Sequence, residues 1–114
     1  MTYELSFLFS LILTLIVEIP IVFLMVRYIN KAIDKLNIIL SGALASTLTL
    51  PYFWFVMPAY VSNRMLYIVI GESLIILIEA LIYYRLLKLK FTQALLVSFI
   101  ANLASVIVGY LIGF

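Results

Sequence analysis

Four long apolar segments, separated by short polar stretches, dominate the pattern of hydrophobic and polar positions along the chain. They cover about residues 5–26, 36–58, 65–84 and 94–114. A helix needs about 20 predominantly apolar residues to cross a bilayer, so each segment is a candidate membrane span. The short connections require consecutive spans to be antiparallel. The pattern predicts an all-α membrane protein whose single domain, residues 1–114, is a four-transmembrane-helix bundle.

Composition supports lipid as the solvent and narrows the chemistry. Apolar residues make up 68% of the chain and charged residues 11%, against about 45–50% and about 25% in soluble domains. The chain has no histidine and no cysteine, which removes Ser–His and Cys–His catalytic pairs and the commonest metal ligand. We therefore expect no enzyme, no metal and no cofactor. The net charge of +2 resides in short connections and indicates no nucleic-acid partner.

The basic residues predict the orientation. Apart from Arg64, all of them lie in the two connections that follow the first and third segments: Arg27, Lys31, Lys35, Arg85, Lys88 and Lys90. Cytoplasmic loops carry the excess of Lys and Arg, so both termini are expected outside a plasma membrane of the prokaryotic type. The first segment lacks the basic region and cleavage site of a secretory signal, and we expect it to be a retained span.

Local signals refine the segment ends. Asp34 or Asn37 is a candidate N-cap of the second helix, and Thr92 of the fourth. Pro20 and Pro51 each remove a backbone donor and are expected to kink their helices. Aromatic residues near the outer ends of the middle segments are typical of an interfacial belt: Tyr52, Phe53, Trp54, Phe55, Tyr60 and Tyr67.

Helical periodicity places a polar stripe on one face of every segment. The stripes are Ser10, Thr14 and Glu18; Ser41, Ala45, Thr49 and Tyr52; Glu72, Glu79 and Tyr83; and Ser98, Asn102, Ser105 and Gly109. A polar stripe in lipid faces protein or water, which predicts a polar bundle interior, or two interfaces if the protein oligomerises. The small residues taken alone are more typical of helix packing.

Three glutamates within the apolar segments are the candidate proton- or cation-binding residues: Glu18, Glu72 and Glu79. A carboxylate at the bilayer centre costs roughly 2.5 kcal/mol or more. We expect Glu72 to lie outermost, Glu18 near the middle and Glu79 innermost. Supporting polar groups are expected at Thr14, Thr49, Tyr83, Asn102 and Ser105.

A purely structural interpretation of the glutamates stays open. A protonated carboxyl that bonds Asn102, a serine or a tyrosine would serve only to fix helix packing. In a second alternative, Glu79 reaches Arg85 or Lys88 near the cytoplasmic interface.

The pattern of the two halves of the chain predicts an internal repeat. Glu18 is followed by Arg27 and Glu79 by Lys88 at the same spacing, and each pair precedes a run of small residues. Two spans separate the copies, so the tandem hairpins would be related by an axis along the membrane normal. Glu18 and Glu79 would then be equivalent groups facing a common axis.

These features favour a proton- or cation-coupled carrier or channel that acts as an oligomer through its mid-membrane glutamates. The alternative is a non-catalytic integral membrane subunit of a larger complex. The expected partners are the lipid bilayer and either further copies of the chain or other membrane subunits.

In its length and in the glutamate of the first span, the chain resembles the small multidrug resistance transporters. This resemblance implies that Glu18 is a shared site for proton and substrate. The third span has no matching glycine-rich motif or tryptophan, and Glu72 and Glu79 are additional. We therefore do not assign the chain to that family.

Overall fold

The structure, a computed structural model, describes residues 2–56, 58 and 62–112. These contain α1 (Tyr3–Ile29), α2 (Lys35–Pro51), α3 (Arg64–Leu87) and α4 (Phe91–Ile112), with a π-helical segment, Tyr52–Val56, continuing α2. By length and composition, four helices can span a membrane, which confirms the predicted all-helical fold. The predicted end of the last segment at residue 114, and Tyr60 of the aromatic belt, lie outside the described residues.

The four helices pack in a ring. Both α1 and α3 pack against α2 and α4, so all four helices face one interior. The molecule measures 43 × 24 × 21 Å, and its long dimension exceeds the roughly 30 Å of a bilayer's hydrocarbon core. Large apolar side chains such as Ile16, Leu24 and Leu111 point outward and are exposed.

The interior is apolar at one end, where α1 and α3 finish. Val22, Val26, Tyr83, Leu87 and Val97 belong to one buried cluster there. Asp34 caps α2 by accepting from Leu36 N at 3.4 Å, so the structure selects Asp34 over Asn37. Instead, Asn37 Nδ2 donates to Leu86 O at 3.2 Å and joins the start of α2 to the end of α3.

The predicted cap of α4 is wrong. The helix begins at Phe91, one residue before Thr92, so the Thr92 side chain is already inside the first turn. The cap is formed at Lys90, whose backbone N–H donates to Gln93 Oε1 at 3.1 Å and whose carbonyl accepts from Ala94 N at 2.9 Å. The glutamine thus reaches back to the start of the helix, as in half of a capping box.

The two prolines have different consequences. The α1 helix continues through Pro20, whereas α2 ends at Pro51 and passes into the π-helical segment. Two tyrosine hydroxyls bond that segment, Tyr3 to Trp54 O and Tyr67 to Phe53 O. These hydrogen bonds therefore join the starts of α1 and α3 to the π-helical segment that follows α2.

Candidate functional site

A cavity of about 260 Å³ lies between the four helices. Glu18, Glu72 and Glu79 all line it, although they come from two different hairpins. Its remaining polar lining includes Ser10, Thr14, Ser46, Thr49, Asn102 and Ser105. The polar stripes of the four helices therefore converge on one space within a single chain.

The cavity extends toward the end of the bundle where α2 finishes and α3 begins. Trp54, Arg64 and Tyr110 line it there, and the last two are exposed. We call this end the mouth. The opposite end, formed by Glu18 and Glu79, is called the floor, because the apolar cluster around Val22 and Tyr83 lies beyond it.

At the floor, Glu79 has hydrogen-bond partners on both carboxyl oxygens. Asn102 Nδ2 of α4 donates to Glu79 Oε1 at 2.9 Å, and Thr49 Oγ1 of α2 lies 2.9 Å from Glu79 Oε2. Glu79 is only 1% exposed. Both oxygens are thus engaged by α2 and α4, so the described residues give no support to the alternative in which Glu79 reaches Arg85 or Lys88.

Thr49 can serve either protonation state of Glu79. Its Oγ1 lies 2.8 Å from Ala45 O as well as 2.9 Å from Glu79 Oε2, but a hydroxyl carries a single hydrogen. A protonated Glu79 donates to Thr49, which then donates to Ala45 O. An ionised Glu79 accepts from Thr49 instead. Rotation of the Thr49 hydroxyl therefore lets Glu79 gain or lose a proton while the Glu79 carboxyl and the Thr49 hydroxyl both keep a hydrogen-bond partner.

Asn102 is itself held in place by α4. Its Nδ2 also donates to Ser98 O at 2.8 Å, and Ser98 Oγ donates across to Ile76 O of α3 at 2.8 Å. The amide hydrogens of Asn102 are directed at Glu79 and at its own helix. The predicted supporting roles of Thr49 and Asn102 thus have a definite geometry, in which each holds one oxygen of Glu79.

Glu18 differs from Glu79 in lacking a partner on one oxygen. It is 1% exposed, and its Oε1 has no hydrogen-bond partner among the described residues. Its carboxyl neighbours Glu79 and Ser105, and Ser105 Oγ lies 3.4 Å from Thr14 Oγ1. The floor therefore combines the Glu79 carboxyl, which α2 and α4 bond on both oxygens, with the neighbouring Glu18 carboxyl, whose Oε1 has no hydrogen-bond partner among the described residues.

Glu72 lies between the floor and the mouth. It is half-buried and lines the cavity on the side of α3, two helical turns before Glu79. The cavity thus has one carboxyl between mouth and floor, and two neighbouring carboxyls at the floor. The attraction of a cation to such a group grows as the local dielectric constant falls, so the arrangement favours positively charged species or protons.

Some predicted residues do not line the cavity, and some lining residues were not predicted as site residues. Tyr83 is fully buried in the apolar cluster beyond the floor, and its hydroxyl has no partner within the described residues. Ser46 and Arg64 line the cavity but were not among the candidate site residues. Ser46 lies beside the polar stripe of α2, and this position in the sequence could have identified it as a lining residue.

The described residues contain no group of three or more His, Cys, Asp or Glu side chains that could hold a metal ion together. Comparisons with protein-family models, with curated proteins and with solved structures gave no match for this chain. The function is therefore inferred from the geometry of the cavity and its carboxyls.

Proposed function

We propose that the protein is a proton- or cation-coupled carrier or channel whose working groups are Glu18, Glu79 and Glu72. One observation carries the proposal. Glu18 and Glu79 are neighbours at the floor of a polar cavity, and each is only 1% exposed. Intramembrane carboxyls that face a cavity are the usual binding groups for protons and cations.

The two carboxyls support coupling because they differ. Glu79 has a hydrogen-bond network that fits either protonation state, while Glu18 has a free oxygen toward which a cation can move. Two adjacent carboxylates repel strongly in a low dielectric. A proton or a cation at one of them therefore changes the affinity of the other, and this mutual effect is a coupling free energy.

We propose that the protein lies in a plasma membrane of the prokaryotic type with both termini outside. The distribution of Lys and Arg supports this orientation. Asn37 bonds Leu86 O, so the two basic connections lie at the same end of the bundle. The mouth of the cavity, with Arg64, would then face the outside.

A path through the membrane also needs an exit below the floor. Val22, Val26, Tyr83 and Leu87 are packed there and almost completely buried. We propose that further copies of the chain, or a rearrangement of this cluster, open the inner half. The alternative function, a non-catalytic subunit of a larger complex, predicts instead that the chain co-purifies with other membrane subunits, which a detergent-resolved mass measurement would reveal.

Reconstitution into liposomes tests the proposal. A gradient of protons or small cations is imposed, and flux is followed for wild type, Glu18→Gln and Glu4→Gln. Glu4 is exposed at the start of α1, so its variant removes an equal charge away from the cavity. Flux that Glu18→Gln lowers to a small residual rate and Glu4→Gln preserves supports the carrier. A wild-type protein that is folded yet moves no proton or cation would contradict it.

A further inference from the structure

Two buried oxygens on the cavity wall lack hydrogen-bond partners among the described residues. One is Glu18 Oε1 and the other is Ser46 Oγ, and both side chains are 1% exposed. Glu18 belongs to α1 and Ser46 to α2, and both line the same cavity. A buried polar atom without a partner is costly, so these oxygens point to a ligand.

The chemistry of the surrounding atoms indicates what the ligand is. Close to Glu18, the cavity presents the hydroxyls of Thr14 and Ser105, which lie 3.4 Å from each other. Carboxylate and hydroxyl oxygens are hard donors that suit hard cations. These oxygens would repel an anion, which only the hydroxyl hydrogens could attract.

The charge count indicates the valence. When Glu79 carries its proton, its carboxyl is neutral and both its oxygens are bonded, by Thr49 and Asn102, so Glu18 supplies the carboxylate charge at the floor. The other candidate ligands are neutral hydroxyls. No cluster of three or more acidic or metal-binding side chains exists among the described residues. A single charge of +1 would neutralise Glu18, whereas a divalent ion would leave an excess positive charge in a low dielectric.

We propose that Glu18 Oε1, together with the hydroxyl oxygens of Ser46, Thr14 and Ser105, binds a monovalent alkali-metal cation. The identity of the transported ion rests on the proposed function, because this cation would be the one that the carrier or channel takes. The binding site itself does not depend on transport. The two carboxyls then have separate tasks: Glu18 binds the ion, and Glu79 exchanges the proton.

Cation-dependent thermal stability of the purified protein in detergent tests the site. The Tm is measured in LiCl, NaCl or KCl and compared with N-methyl-D-glucamine chloride and methylammonium chloride at equal ionic strength and pH. At a cation concentration about 100 times Kd, binding to the folded state should raise Tm by roughly 5 °C or more. At least one alkali-metal ion should give this rise.

Matched variants assign the effect to the proposed ligands. Glu18→Gln should abolish the cation-dependent rise, and Ser46→Ala should weaken the apparent affinity by about tenfold, the change expected for losing one ligand. Glu4→Gln and Thr47→Ala should retain the wild-type response, because both residues are exposed. If Glu18→Gln fails to fold, Ser46→Ala against Thr47→Ala still decides the matter.

The site would be refuted if no alkali-metal ion raises Tm, if methylammonium alone does so, or if Ser46→Ala responds like wild type. These outcomes are distinct from a failure of the carrier. Alkali-ion stabilisation without any flux in liposomes keeps the site and removes the carrier. Proton flux without stabilisation by any alkali ion keeps the carrier and removes the site.

Discussion

Thr49 Oγ1 lies 2.9 Å from Glu79 Oε2, joining a hydroxyl of α2 to a carboxyl of α3 inside the bundle. The same oxygen lies 2.8 Å from Ala45 O of its own helix. Because one hydroxyl hydrogen has two possible acceptors, its direction depends on whether Glu79 carries a proton. The protonation state of Glu79 therefore determines whether the Thr49 hydroxyl donates to Glu79 or to Ala45 O of α2.

Thr49→Val should weaken both stability and flux. Valine keeps the shape of threonine but removes the hydroxyl, so Glu79 Oε2 loses its partner in a buried site. The loss should be about 1–3 kcal/mol of unfolding free energy. Thr47→Val is the control, because Thr47 is exposed and, within the described part of the chain, its hydroxyl bonds its own helix alone, at Ala43 O and Leu44 O. Equal losses in the two variants would argue against a special role for Thr49.

Asn102→Leu should lower stability and abolish coupling, because leucine matches the size of asparagine but offers no donor to Glu79 Oε1. One interhelical hydrogen bond of this kind contributes roughly 0.6–2 kcal/mol. Asn37→Leu also removes a bond between helices, to Leu86 O, but at an exposed position. Denaturation and liposome flux are measured together. We expect Asn37→Leu to keep wild-type flux, and a loss of flux in both variants would show a general packing effect.

Glu72→Gln should slow cation flux without abolishing it. Glu72 is half-buried between the mouth and the floor, so its charge raises the local cation concentration instead of completing the floor. Such an effect is screened by salt over a Debye length of about 10 Å at 0.1 M ionic strength. Flux measured at low and high ionic strength should therefore differ more in wild type than in the variant. The same loss at every salt concentration would place Glu72 among the essential groups.

Lys88→Gly should stabilise the fold independently of the cavity. Lys88 ends α3 in the left-handed conformation, with φ 55° and ψ 33°, which costs a residue with a Cβ roughly 1–2 kcal/mol. Lys88→Ala removes the same charge but keeps the Cβ and is the matched control. The glycine variant should unfold at a higher temperature than the alanine variant, and the reverse order would show that the strain is absent.

The polar lining of the cavity follows from the sequence because helical periodicity fixes which residues share a face. Ser10, Thr14 and Glu18 recur at four-residue spacing on α1, and all three line the cavity. Periodicity does not show where along a helix face the polar cavity ends and the apolar core begins. Tyr83 shares the face of Glu79, yet the apolar cluster has already closed the interior at its level.

The sequence of either helix alone does not predict that Glu18 of α1 and Glu79 of α3 are neighbours. Their proximity requires α1 and α3 to be brought together by the ring of four helices, which the span pattern alone leaves undetermined. The error at Thr92 has a different cause, because Gln93 reaches back to Lys90 N and competes for the start of the helix. Similarly, the short segment after Pro51 is fixed by the Tyr3 and Tyr67 hydroxyls, which lie far away in the sequence.

We propose that Glu18 and Glu79 act as one unit, and a double-mutant cycle on liposome flux measures whether they do. Flux is measured for wild type, Glu18→Gln, Glu79→Gln and the double variant, with Glu4→Gln as the control for charge. Residues that share one site give non-additive effects, whereas independent sites add. We predict that each single variant lowers coupled flux to the same small but measurable residual rate and that the double variant keeps that rate. Substantial flux in the double variant, or losses that simply multiply, would contradict the account.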